Sequence, residues 1–166
     1  MIYKFKGKPI TLISQKRRLP NGFVKHVEII RHPGAALIVP FLNHRRIVFN
    51  RQYRASVKAY LYELPAGTLD HKESLLTCAH RELLEETGYR AEKLTRLGRI
   101  IPVPGYSTEV ITIFKAQELQ FQGRHLEPDE IIQACVFTKS QVKNLFRKGK
   151  IIDAKTICAL AFCGWL

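Results

Sequence analysis

The sequence predicts an α/β (α+β) chain: a mixed central sheet packed between helices, preceded by N-terminal antiparallel strands. Three observations lead there. Strand-length apolar runs such as GAALIVPFL (34–42) and IIQACVFT (131–138) recur between turn signals. Residues 72–87 and 153–165 carry helical spacing instead. The two kinds interleave along 166 residues without a repeat, low-complexity tract or linker, which is enough chain for one core.

Taken in order, residues 2–14 and 23–31 read as strands joined by a turn at RRLPNGF, where Pro20, Asn21 and Gly22 supply the turn chemistry. GAALIVPFL and RRIVFNRQYR (45–54) form a hairpin across Asn43 and His44. YLYELPAG (60–67) is a short strand closing at Pro65 and Gly67, and Gly67 frees the backbone to bend into the next loop. Within 72–87, Leu76, Ala79 and Leu83 share a face and Gly88 holds the stop position. KLTRLGRIIPVP (93–104), VITIFKAQEL (110–119) and IIQACVFT are further strands. Ser140 caps SQVKNLFRKG (140–149), and an apolar helix closes the chain.

Lys and Arg number 27 against 14 Asp and Glu, a formal net charge of +13 that favours anionic partners. The basic residues are scattered and not interleaved with aromatics, so no stable nucleic-acid partner is expected. No apolar run approaches the ~18–20 residues that span a bilayer, and the N-terminus lacks an apolar signal core. A cytoplasmic setting without a membrane partner is therefore expected. Four cysteines without Cys-x-x-Cys spacing read as buried free thiols, not structural zinc.

Against this basic background, GTLDHKESLLTCAHRELLEETGY (67–89) concentrates Asp70, Glu73, Glu82, Glu85 and Glu86. On a helix Glu82 and Glu86 are neighbours, with Glu85 close by, and their mutual repulsion costs a few tenths of a kcal/mol per exposed pair. A divalent cation reverses that sign. Hard oxygen ligands suit Mg²⁺, with Mn²⁺ as the alternative. Arg81 and Glu73 lie two turns apart, and a contact between them would orient the cluster.

The stretch resembles the signature of the Nudix hydrolases, G-x5-E-x7-R-E-U-x-E-E-x-G-U with U apolar. Gly67, Glu73, Arg81, Glu82, Leu83, Glu85, Glu86 and Gly88 match, and Tyr89 replaces the final aliphatic. The resemblance implies an α/β/α sandwich that hydrolyses a nucleoside diphosphate linked to another group. It implies metal ligation by Glu82 and Glu86 with Glu85 assisting, and a further ligand in the backbone carbonyl near Ala66. Arg81 belongs with the catalytic set through its hold on the acidic cluster.

The lead-in from Arg51 to Gly67, Pro104 sixteen residues after Gly88, and Glu109 in PGYSTEVITIF are similar to the ADP-ribose pyrophosphatase and nucleoside-diphosphate-sugar hydrolase branch. Members of that branch imply a homodimer, with residues 1–30 reaching the partner and residues 31–166 forming the catalytic domain. Arg51 and Arg54 become candidates for phosphate or base, or else surface ion pairs. The catalytic base is expected from the loop GRHLEPDEII, with Glu127 ahead of Glu130 and Asp129 behind both. Glu109 is a further substrate-binding candidate.

Asp153 and Lys155 resemble a feature of the sugar-nucleotide hydrolases. Asp153 either caps the last helix or accepts a substrate hydrogen bond, while Lys155 offers a point charge. They do not share a helix face and are not expected to pair with each other. The expected activity is Mg²⁺-dependent hydrolysis of nucleoside diphosphate sugars, ADP-ribose among them, to a nucleoside monophosphate and a sugar phosphate. A strict ADP-ribose pyrophosphatase, an RNA-cap or dinucleoside polyphosphate hydrolase, and a non-catalytic nucleotide sensor are the alternatives.

Overall fold

Two sheets divide the chain. The computed structural model describes residues 2–4 (backbone only), 10–126, 128 and 130–166. The smaller sheet is antiparallel, with β1 (Ile2–Lys4), β2 (Thr11–Arg18) and β3 (Val24–Arg31) side by side. β2 runs on through Arg17 and Arg18, which pair with Lys25 and Val24, so the turn is tighter than RRLPNGF suggests. Gly22 adopts φ +83° in it, and Leu19 bonds to both Gly22 and Phe23.

The larger sheet contains β4 (Ala35–Asn43), β5 (Arg46–Arg54), β6 (Ala59–Glu63), β7 (Ala66–Thr68), β8 (Tyr89–Ile100), β9 (Ile111–Phe121) and β10 (Ile132–Thr138). Its main path is β10-β5-β4-β9-β8, with β6 beside β5 and β7 beside β4. β4 and β9 are parallel and the other pairs antiparallel, which makes the sheet mixed. β8 begins at Tyr89, ahead of the apolar run KLTRL, because β9 continues to Phe121 and pairs with it. Backbone pairing, not side-chain pattern, decides that boundary.

β4 explains the layering. Residues 36–39 are wholly buried, as a central strand covered on both faces must be. Alternate side chains point opposite ways. Ala36 and Ile38 pack with Cys78, Ala79 and Leu83 of α1 (Leu75–Thr87). Leu37 and Val39 join the other core, with Val142 of α2 (Lys139–Arg147) and Ala159 and Leu160 of α3 (Ala154–Phe162). The expected α/β/α sandwich follows.

The helix starts differ from expectation for local reasons. α1 begins at Leu75 and not at 72, because Lys72 holds φ +68° and Ser74 is the cap, accepting from Thr77 N at 3.1 Å. Gly88 ends it at φ +78°, its N–H bonded to Leu84 O. Leu76, assigned to the buried face, is exposed; that face runs through Cys78, Ala79, Glu82, Leu83 and Glu86. Thr138, not Ser140, caps α2, in a reciprocal box with Gln141. Of the four free cysteines only Cys78 is buried, so the expectation holds for that one alone. No helix among the described residues is long and apolar enough to cross a membrane.

Candidate active site

α1 turns two of its glutamates inward. Glu82 and Glu86, one turn apart, lie on the buried face against the sheet. β5 and β7 grip Glu86: Asn50 Nδ2 donates at 2.7 Å and Ala66 N at 3.2 Å. Gly67, in β7, serves Glu82 in a way the sequence reading did not foresee. Its φ lies outside the left-handed region, so no positive-φ turn requires it. A Cβ there would stand 1.6 Å from Glu82 Oε1, and only glycine leaves the carboxylate its space.

Arg81 organises the outer side. Its Nε and one terminal nitrogen donate to the two oxygens of Glu73 at 2.9 and 3.0 Å. The other terminal nitrogen donates to Glu82 at 2.7 Å and Glu85 at 3.1 Å. Glu73 sits in the loop before the helix, not two helical turns away as expected, and its own carboxylate accepts from Asp70 N. Arg81 holds Glu73 below the usual carboxylate range.

The inner pair behaves oppositely. Burial pushes the Glu82 carboxyl up to about 7; Arg81 opposes this, and the charges of Glu85 and Glu130 add to it. Burial raises Glu86 well above its ordinary value, helped by Glu82 and Glu130. Glu130 is therefore within electrostatic reach of both. Glu127 and Asp129 lie outside the described residues.

These observations fit a divalent cation. Two buried carboxylates side by side, each disfavoured in its charged form and only Glu82 reached by Arg81, would ionise together beside a further positive charge. Asn50 Oδ1, buried beside Glu86, has no hydrogen-bond partner among the described residues. Among those residues no three His, Cys, Asp or Glu side chains form a ready-made cage. Mg²⁺ does not need one, since it keeps several waters and binds through one or two carboxylates plus substrate phosphate.

A cavity of about 340 Å³ opens beside Ala66 and Gly67, lined further by Arg54, Thr68, Pro102, Glu109, Asp153 and Lys155. Four of the substrate-binding candidates thus line one cavity. Behind it Glu63, 1% exposed, clamps Arg54 through both carboxylate oxygens at 2.8 and 2.7 Å and also accepts from Lys155. Burial opposes the Glu63 charge, but Arg54 and Lys155 outweigh it and hold the carboxyl below its ordinary value.

Contrary to expectation, Lys155 and Asp153 do pair, at 2.9 Å. Asp153 is the extended cap residue, not a helical one, so helix spacing does not separate the two; it also accepts from Thr156 N at 3.0 Å. Near Glu109, another lining residue, His32 Nδ1 accepts from Gly34 N at 3.1 Å. The proton of the neutral ring therefore sits on Nε2, which faces Glu109 at 3.8 Å and Thr68 at 3.4 Å. Arg51 is not part of this wall. It points to the other face of β5, its guanidinium 4.3 Å from the Tyr60 ring centroid.

Glu63, Asn50 and His32 escaped the sequence reading. Glu63 stood inside YELPAG, and Asn50 was a lone amide ending the apolar run IVFN, so both carried a faint signal. His32 carried none.

A family model described as NUDIX domain matches residues 31–160. The chain belongs to the NUDIX family. Relatives within it include the ADP-ribose pyrophosphatase of Bacillus subtilis (strain 168), 34% identical over 95% of this chain and 86% of the relative. The GDP-mannose pyrophosphatase of Escherichia coli (strain SMS-3-5 / SECEC) is 30% identical, over 92% of this chain and 94% of the relative. Bacillus methanolicus contributes a methanol dehydrogenase activator, 32% identical over 95% of this chain and 86% of the relative. Among solved structures, one titled as an ADP compounds hydrolase superposes with a TM-score of 0.82, covering 98% of this chain and 89% of its own. At 23% identity that likeness speaks for the NUDIX fold alone.

Proposed function

We propose that this NUDIX protein hydrolyses the pyrophosphate bond of nucleoside diphosphate sugars, ADP-ribose among them, to a nucleoside monophosphate and a sugar phosphate. The observation that carries the reading is adjacency. The buried Glu82–Glu86 pair stands, across Ala66 and Gly67, next to a cavity lined by Arg54, Lys155, Asp153 and Glu109. Relatives named for ADP-ribose and for GDP-mannose support the same class of substrate.

In this reading Glu82 and Glu86, with Glu85 and the Ala66 backbone, hold Mg²⁺ or Mn²⁺. An ion held there would supply charge to neutralise the pyrophosphate and to lower the pKa of an attacking water. Arg81 keeps Glu82 and Glu85 in place through its paired grip on Glu73. Glu127 and Glu130 are the candidates for the base that takes the water's proton. Arg54 and Lys155 contact the substrate beyond the diphosphate, and Asp153 and Glu109 accept its hydroxyls. Arg51, on the opposite face, has no part in this reading.

We further assign residues 1–30 to dimerisation. Light scattering of the full chain against a variant lacking them tests this, and two monomers would refute it. The free cysteines fit a reducing, cytoplasmic setting.

The activity is tested by Mg²⁺-dependent release of monophosphates, coupled to a phosphatase, from ADP-ribose, ADP-glucose, GDP-mannose and UDP-glucose. Lys155→Ala should change the ranking of these substrates. Turnover of ADP-ribose alone, or an unchanged ranking, would leave the narrower ADP-ribose pyrophosphatase standing.

A further inference from the structure

We propose that the cavity wall beyond the Glu82–Glu86 pair rejects a second anionic group, so that the sugar end of the substrate must be uncharged, and that Glu63 and Asp153 set this preference. The proposal rests on the sugar-nucleotide reading above and deepens it.

The chain as a whole carries a formal charge of +13, yet this wall does not share it. Arg54 and Lys155 are its two cations. Opposing them are Asp153 and Glu109 in the lining and Glu63 behind it, three carboxylates in all. Both cations are already committed. Arg54 spends Nε and one terminal nitrogen on Glu63, and Lys155 donates to Glu63 and to Asp153.

An arriving phosphate or carboxylate would have to sit beside these carboxylates or displace them, and like charges placed together at a binding surface are strongly disfavoured. A hydroxyl meets no such obstacle. It both donates and accepts, so it can use the remaining guanidinium and ammonium N–H groups and the unused carboxylate lone pairs. Glu109 adds its own carboxylate to the lining, with His32 Nε2 3.8 Å away. The diphosphate charge is met elsewhere, at the α1 carboxylates and their cation. The division leaves the far wall free to read a neutral, hydroxyl-rich group.

The test compares kcat/KM within pairs that differ only in charge at the sugar: GDP-mannose against GDP-mannuronate, and ADP-ribose against its terminal 1″-phosphate. Wild type, Glu63→Gln and Asp153→Asn are assayed together. Asparagine caps helices about as well as aspartate, so the second variant keeps the start of α3 even if the first folds poorly. The wild type should favour the neutral member by on the order of tenfold or more, and either variant should narrow that ratio about tenfold, whatever it costs the two members in common. A purely structural role would lower both members together, and that result overturns the proposal. So does a wild type that cleaves charged and neutral members alike. A wild type that cleaves neither neutral substrate overturns instead the sugar-nucleotide reading, and this proposal falls with it.

Discussion

Gly67 and Glu82 compete for one space: a Cβ on Gly67 would lie 1.6 Å from Glu82 Oε1 and 1.8 Å from its carboxyl carbon. The glycine of the signature is therefore a steric partner of a glutamate fifteen positions later on another element.

Gly67→Ala should separate stability from activity. The clash falls on the far end of a flexible side chain, so the fold should lose only about 1–2 kcal/mol. The displaced carboxylate should lower kcat by on the order of 10²-fold. Thermal melting and steady-state kinetics check both. Near-normal turnover would mean that Glu82 need not stay where it is.

Glu82→Gln and Glu86→Gln each remove a ligand charge and should cut kcat by on the order of 10²–10⁴-fold while keeping the fold. Mg²⁺ or Mn²⁺ should raise the melting temperature of the wild type, since a ligand that binds the folded state stabilises it. Both variants should lose most of that rise. Wild-type turnover at saturating Mg²⁺ in either would reassign the ligands.

The base is decided by ranking. Glu127→Gln should lower kcat more than Glu130→Gln, with metal affinity little changed. The charge of Glu130 is felt by Glu82 and Glu86, so its removal should also disturb metal binding. The reverse ranking moves the role to Glu130, and two silent variants place the base elsewhere.

Glu63 makes a pH prediction whose sign follows from its pairing. Its carboxyl is held below its ordinary value in the folded state, where Arg54 and Lys155 outweigh burial. The stabilisation is thus present above the unfolded carboxylate pKa of about 4.3 and is lost as pH falls through the folded value. Glu63→Gln should cost about 3 kcal/mol at pH 7, because it leaves two cations short of their partner. The gap from wild type should narrow as pH falls below about 4.3. Urea melts at pH 7 and about pH 3 give the comparison. An equal gap at both would show that the cost is packing and not charge.

The sequence alone determined the class of fold, the acidic helix and the family. Each is a local or periodic property: β4 and α1 announce themselves by spacing, and Gly67 through Gly88 form a fixed pattern within one segment. Boundaries were less legible, because Lys72 at positive φ and the capping box of Thr138 with Gln141 depend on backbone geometry that composition only hints at. Tertiary structure alone decided the partners. Asn50 reaches Glu86 across 36 positions, and Lys155 reaches Glu63 across 92. Arg51 and Arg54, indistinguishable in RQYR, are sent to opposite faces of β5 by strand alternation once the sheet is covered on both sides. The reason is physical. A buried charge must find its counter-charge wherever the fold brings one close, and that distance in space leaves no trace in distance along the chain.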